Sequence, residues 1–190
     1  MSRLHAFGWT RLATLAAIAA LVAYRMAPHL PNLTPVGAMF VLGGLYLGGS
    51  LAWMVVPFAG LLVSDTILNL AYDGHPVHAG RVFDYAAFAV VGVVARTMAA
   101  RPIGWRVGAV VAAPVIFFLI SNFGVWASGG ALAGAAPYPK TLQGLAECYT
   151  AALPFFRGTL LGDWVFAGAG LAALELLRRR EARTTQLARA

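Results

Sequence analysis

Residues 107–128 read VGAVVAAPVIFFLISNFGVWAS and contain no ionisable side chain. At about 1.5 Å per residue this run is long enough to cross a hydrocarbon core of about 30 Å. In lipid every backbone N–H and C=O must find its partner within the protein, so a run of this kind must be a helix. Similar stretches occur at 11–27, 51–72, 83–99 and 158–177, with a shorter glycine-rich one at 36–49. The chain is 60% hydrophobic and 11% charged, where a soluble domain carries about a quarter charged residues. The expected fold is therefore an all-α integral membrane protein, one bundle of six transmembrane helices.

Punctuation between the runs supports this division. PHLPNLTPVG, 28–37, holds three prolines and reads as a loop. Pro57 is expected to kink the third span. The segment 129–157 has no obvious span, and TLQGLAECYTAALPFF within it reads as a short interfacial helix. The expected organisation is one bundle over 1–177 and a basic tail over 178–190, partly disordered or lying on the membrane surface. A basic start before an Ala-rich run also resembles a signal peptide, but Arg25 stands where a small-residue cleavage site belongs.

Six spans place both termini on one side. That side would carry ten basic residues (Arg3, Arg11, Arg96, Arg101, Arg106, Arg178, Arg179, Arg180, Arg183 and Arg189) against four on the other, Arg25, Arg81, Lys140 and Arg157. The positive-inside rule then makes both termini cytoplasmic and assigns the protein to the inner (plasma) membrane as a multi-pass protein. The net charge of +7 is explained by these loops and by anionic headgroups of the bilayer, without nucleic acid.

Polar residues inside spans are costly and often functional. Asp65 and Asn69 on the third span, Asn122 on the fifth and Asp163 on the sixth all fall in the outer half. Asp65 and Asn69, Asn122 and Trp126, and Thr159 and Asp163 are each four residues apart, so each set shares a helix face. The expectation is an outward-opening polar pocket rimmed by Trp126, Tyr138, Lys140 and Arg157, with Trp126 and Trp164 able to stack on a ligand ring. Structural glue between helices is the competing reading, and an Asp163 or Asp65 pair with Arg157 would serve it. Arg157 and Asp163 themselves point about 240° apart around one helix, so they do not pair along it.

Other chemistry is thinly represented. His29, His75 and His78 in outer loops could take nickel, cobalt or zinc, and Cys148, the single cysteine, reads as a small packing residue. No metal or cofactor is assigned. There is no Ser-His-Asp order, HExxH, P-loop or dinucleotide fingerprint, so an enzyme is not expected.

PNLTPVGAMFVLGGLYLG, LLVSD, SNFGVWASGG and YPKTLQGLAECYTAALPFFRGTLLGDW resemble the domain-of-unknown-function family 6580, whose members are labelled transport proteins. More widely the chain resembles the substrate-binding S-components of energy-coupling-factor (ECF) vitamin transporters. That resemblance implies six helices, both termini inside, and a ligand in the outer half under the loop between the first two spans. It also implies membrane-coupling and ATPase partner subunits docking on small residues of the first span, here Ala13, Ala17 and Ala20, with Ala16, Ala19 and Ala23. The expected function is capture of a small polar molecule for uptake. The alternatives are an ion- or proton-coupled transporter in which Asp65 or Asp163 titrates, or a non-catalytic membrane assembly subunit.

Overall fold

The computed structural model describes residues 8–30, 32–72, 81–129 and 138–187. It is all-helical among these residues: α1 (Trp9–Met26), α2 (Val36–Tyr46), α3 (Ala52–Tyr72), α4 (Val82–Met98), α5 (Ile103–Ala127) and α6 (Leu142–Leu187). Each apolar run of the sequence becomes a helix, and the prolines at 28 and 35 lie between α1 and α2.

The packing follows from α2. All eleven of its residues are buried and none of its side chains is charged, so it has no face to give to solvent or lipid. It touches each of the other five helices, which contact one another in the closed order α1, α3, α4, α5, α6 and back to α1. The fold is thus a ring of five helices around a short central one. Met39, Phe40, Val41 and Leu42 are the centre of the core. Phe40 stacks on Phe88 at 5.3 Å and meets Phe58 edge-on at 4.8 Å, and Phe88 stacks on Phe117 at 4.6 Å. This aromatic chain ties α3, α2, α4 and α5 together.

Glycine lets the ring close. A Cβ at Gly44 would stand 2.7 Å from both the Gly92 carbonyl and the Ala95 Cβ of α4. One at Gly43 would stand 2.6 Å from Pro57 on α3. The proline inside α3 therefore packs against a glycine of α2, and close helix approach of this kind is what small residues provide in lipid.

Two expectations need correction. Three helices, α3, α5 and α6, are long and apolar enough to cross a membrane, rather than six. At about 16 Å α2 is too short, and α1 and α4 carry Arg11 and Arg25, and Asp84 and Arg96, within 18 and 17 residues. Second, the interfacial helix, the sixth span and most of the tail are one helix of 46 residues, with Pro154 inside it. Its basic end stays helical through local and distant bonds. Glu175 pairs with Arg178 at 2.8 Å and with Arg179 at 3.4 Å, three and four residues on. Glu181 accepts from the Thr10 backbone N–H at 3.1 Å and the Thr10 hydroxyl at 2.5 Å, which places a carboxylate on the first turn of α1.

Gly44→Ala is expected to cost about 1–3 kcal/mol through overpacking. Gly108→Ala, where a Cβ meets nothing within 4 Å, should leave stability unchanged or raise it. Thermal unfolding of the two variants in detergent measures the difference.

Candidate functional site

The end of α1, the end of α3 and the start of α4 converge around one arginine. Arg25 is 8% exposed. It donates to the Ser64 hydroxyl and to Asp65 Oδ1, and forms a buried ion pair with the latter. Asp65 Oδ2 accepts from the Tyr85 hydroxyl at 2.8 Å. Three helices are bolted together through four side chains, and each Asp65 oxygen has a donor.

Beside this network lies a cavity of about 300 Å³. Its walls include Arg25, Tyr85 and Asp84, with Arg81 facing Asp84 at 3.9 Å. Thr34, Val36 and Gly37 line it from the loop and first turn of α2, Phe88 and Phe117 from α4 and α5, and Thr159 and Asp163 from α6.

Asp163 is the unusual group. It is 1% exposed, and neither carboxylate oxygen has a hydrogen-bond partner of full geometry. The nearest donors are the backbone N–H groups of Gly37 and Ala38 in the first turn of α2. A Cβ at residue 37 would stand 2.1 Å from Asp163 Oδ2, so glycine is required for the carboxylate to lie there. Gly162 does the same for the loop: its Cβ would be 2.9 Å from the Thr34 carbonyl. The positive end of the α2 dipole thus points at a buried carboxylate on the cavity wall.

The sequence candidates separate into two groups. Asp163 and Thr159 line the cavity together, and Asp65 stands behind two of its walls through Arg25 and Tyr85. Asn69 is buried and, with Tyr72 and His29, lines a second, more open depression of about 410 Å³ that shares Arg25 and Arg81 with the first. The remaining candidates are not among the cavity walls. The Asn122 amide donates to the Phe118 carbonyl of its own helix at 2.8 Å. The Trp126 indole donates to the Pro139 carbonyl at 2.9 Å, and Lys140 lies 5.2 Å over that ring and donates to the Trp126 carbonyl. Tyr138 is half-buried beside this corner, and Arg157 is exposed. Trp164 is 40% exposed on the outside of α6. One residue turns a helix by about 100°, so Asp163 faces inward and Trp164 outward.

Arg25, Tyr85 and Asp84 are absent from the sequence candidates. Arg25 reads as a flank of the first span, yet Thr10, Thr14, Ile18 and Arg25 form the buried stripe of α1. Their spacings of 4, 4 and 7 are the available signal. Asp65 pairs with Arg25 rather than with Arg157. Cys148 is buried with its sulfur 3.5 Å from the Asn122 carbonyl, a packing position. His29 stacks on Tyr24 at 5.8 Å, while His75 and His78 lie outside the described residues. Among the described residues no three His, Cys, Asp or Glu side chains gather as a metal site would require.

The model of a family of unknown function, DUF6580, matches residues 6–186. The chain belongs to this family. The match includes all six helices, so the ring, its central helix and the cavity are all within the family's unit. No curated protein and no solved structure matches the chain.

In the small-residue face of α1, Ala13 and Ala17 pack against the core, whereas Ala16, Ala19, Ala20 and Ala23 are exposed.

Removing one partner of the Arg25–Asp65 pair leaves a buried charge alone, which costs about 3–5 kcal/mol. Arg25→Met should therefore reduce the yield of folded protein sharply. Arg25→Met with Asp65→Leu and Tyr85→Phe should recover most of it, because no unpaired group remains. Size-exclusion profiles and melting temperatures in detergent compare the two.

Proposed function

We propose that the protein is a membrane transport component that captures a small polar molecule from the outer side, in the manner of an S-component. In this reading the helix ring sits in the inner (plasma) membrane, with α2 as a half-length element inside it and both termini in the cytoplasm. The excess of arginines near α1's start, the α4–α5 turn and α6's end supports that orientation.

The observation that carries the reading is the cavity of about 300 Å³ with Asp163 unpartnered on its wall. A subunit that only glued helices together would have filled that space or paired that carboxylate, since an unsatisfied buried polar group is costly. Discontinuous helices with an end at the membrane midplane are a recurrent way of building transporter sites. The loop that carries Thr34 covers the cavity from the α2 side and is the element that would move to admit a ligand. Energy would come from partner subunits, since the sequence holds no nucleotide motif, and the exposed Ala16, Ala20 and Ala23 of α1 offer a face where a coupling subunit could pack. A proton- or ion-coupled mechanism is the second reading, favoured by the same lone carboxylate.

Native mass spectrometry of the purified protein tests the proposal: a small molecule should be retained by the wild type and lost on Gly37→Ala, which displaces Asp163. Repeated preparations holding only lipid would overturn it. In a Cys148→Ser background, a membrane-impermeant maleimide should label Lys140→Cys on intact cells, and Thr185→Cys only after lysis. The reverse pattern would invert the topology.

A further inference from the structure

We infer that the molecule taken by this cavity is a small organic cation, an amine protonated at neutral pH or a quaternary ammonium, bound with its charge against Asp163. The inference rests on reading the cavity as a ligand site and goes on to name the ligand's charge.

Four charged side chains line the cavity: Arg25, Arg81, Asp84 and Asp163. Arg25 is matched by Asp65, with Ser64 taking a further donor. Arg81 faces Asp84 at 3.9 Å. Asp163 has no cationic side chain against it among the described residues, and both its oxygens lack a full hydrogen bond at 1% exposure. The end of α2 supplies about half a positive charge, which steadies the carboxylate without matching it. Among the described residues, the walls and the carboxylate paired to Arg25 therefore hold two cations, Arg25 and Arg81, against three carboxylates, Asp65, Asp84 and Asp163.

An anionic ligand would meet Asp84 and Asp163, with Arg25 held by Asp65 and Arg81 offset by Asp84 at 3.9 Å. A cation would supply what the site lacks, in a low-dielectric setting where such a pair is strong. The apolar walls suit the same ligand class. Phe88 and Phe117 line the cavity as a stacked pair, with Tyr85 beside them. Aromatic faces attract alkylammonium groups and receive the ligand's apolar body. Thr34 and Thr159 add acceptor oxygens next to Asp163 for the N–H groups of an amine.

A purely structural role for Asp163, as a carboxylate resting on the first turn of α2, is separable from this. Asn retains the shape and an acceptor oxygen for the Gly37 and Ala38 N–H groups, and it serves well at helix N-termini. Asp163→Asn should therefore fold like the wild type. The test uses full-length protein in detergent and three probes of similar shape: benzylammonium, benzyl alcohol and benzoate. Benzylammonium should raise the melting temperature of the wild type, and its apparent Kd should weaken at least tenfold in Asp163→Asn; the other two should have little effect. Equal response to all three probes, a preference for benzoate, no response to benzylammonium, or an unchanged Kd in Asp163→Asn would each overturn the inference. Native mass spectrometry separates this failure from that of the parent reading. A retained molecule that is neutral or anionic would remove the cation and keep the binding site, whereas lipid alone would remove both.

Discussion

A helix buried on every side must have its two ends answered from within the protein, and α2 sets that demand here. Its first-turn N–H groups and last-turn carbonyls lie inside a helix ring rather than in water, where unsatisfied backbone groups are expensive. At the N-terminal end the answer is Asp163, laid over Gly37. Just past the other end stand arginines: Arg11 donates to the carbonyl of Gly48, two residues beyond α2, at 2.6 Å, and the Arg96 guanidinium closes over the same glycine, 2.7 Å from where its Cβ would be. A negative group at the N-terminus and cations past the C-terminus is the arrangement a helix dipole favours. Gly37 follows from the same requirement, since Asp163 must come nearly to the backbone to act.

The two ends differ in how completely the charges are matched. On the side of α2's C-terminus, Arg106 pairs with Glu175 at 2.7 Å, and the same carboxylate takes Arg178 and Arg179. Glu181 is occupied by Thr10. One donor there, Arg106 Nε, is left without a partner, but its own side chain is anchored through Nη1. On the N-terminal side, Asp65 has all it can use, while Asp163 meets only the Gly37 and Ala38 backbone N–H groups, short of a full hydrogen bond, and has a cavity in front of it. A network that is closed at one end and open at the other assigns different work to the two. The closed end holds α1, α5 and α6 together, and the open end is where the proposed ligand would complete the set.

How far the sequence discloses this depends on what each residue's neighbours are. The helices are legible because a membrane helix must be a long apolar run and loops need prolines or glycines, as at Pro28 and Pro35. Asp163 with Thr159 is legible too, since four residues put both on one face of a helix and few polar residues occur inside it. Arg25 is not, because a lone arginine near a span end usually snorkels to the interface. Only the pairing with Asp65 across to α3 turns it inward. Trp164, Asn122 and Trp126 are the opposite case, since they are not among the walls of this cavity. They stand at a suitable depth, but depth along a helix says nothing of azimuth, and azimuth is fixed by the ring order. That order, in turn, depends on α2 being central, which its short length and glycines suggest only once the other five helices are in place. The break expected between the sixth span and the tail is missing because Glu175 and Glu181 each find partners that continue the helix.

The position of the open end also bears on how a ligand could be admitted. α2 itself is a poor moving part: Gly43 and Gly44 hold it against Pro57 and against the α4 backbone, so sliding or tilting would collide on two sides at once. The α1–α2 loop is different in construction. Asn32 takes a left-handed φ of 60°, a conformation asparagine tolerates better than most residues, and Pro28 and Pro35 have no backbone N–H to donate. Its contact with α6 is the close approach of Thr34 to Gly162, adjacent to Asp163. A ligand that drew Asp163 away from the first turn of α2 would therefore loosen the seat of the loop at the same point. Asp163 and the contact of Gly162 with Thr34 are one residue apart on α6, so under the proposed function occupation of the site and release of its cover would be mechanically joined.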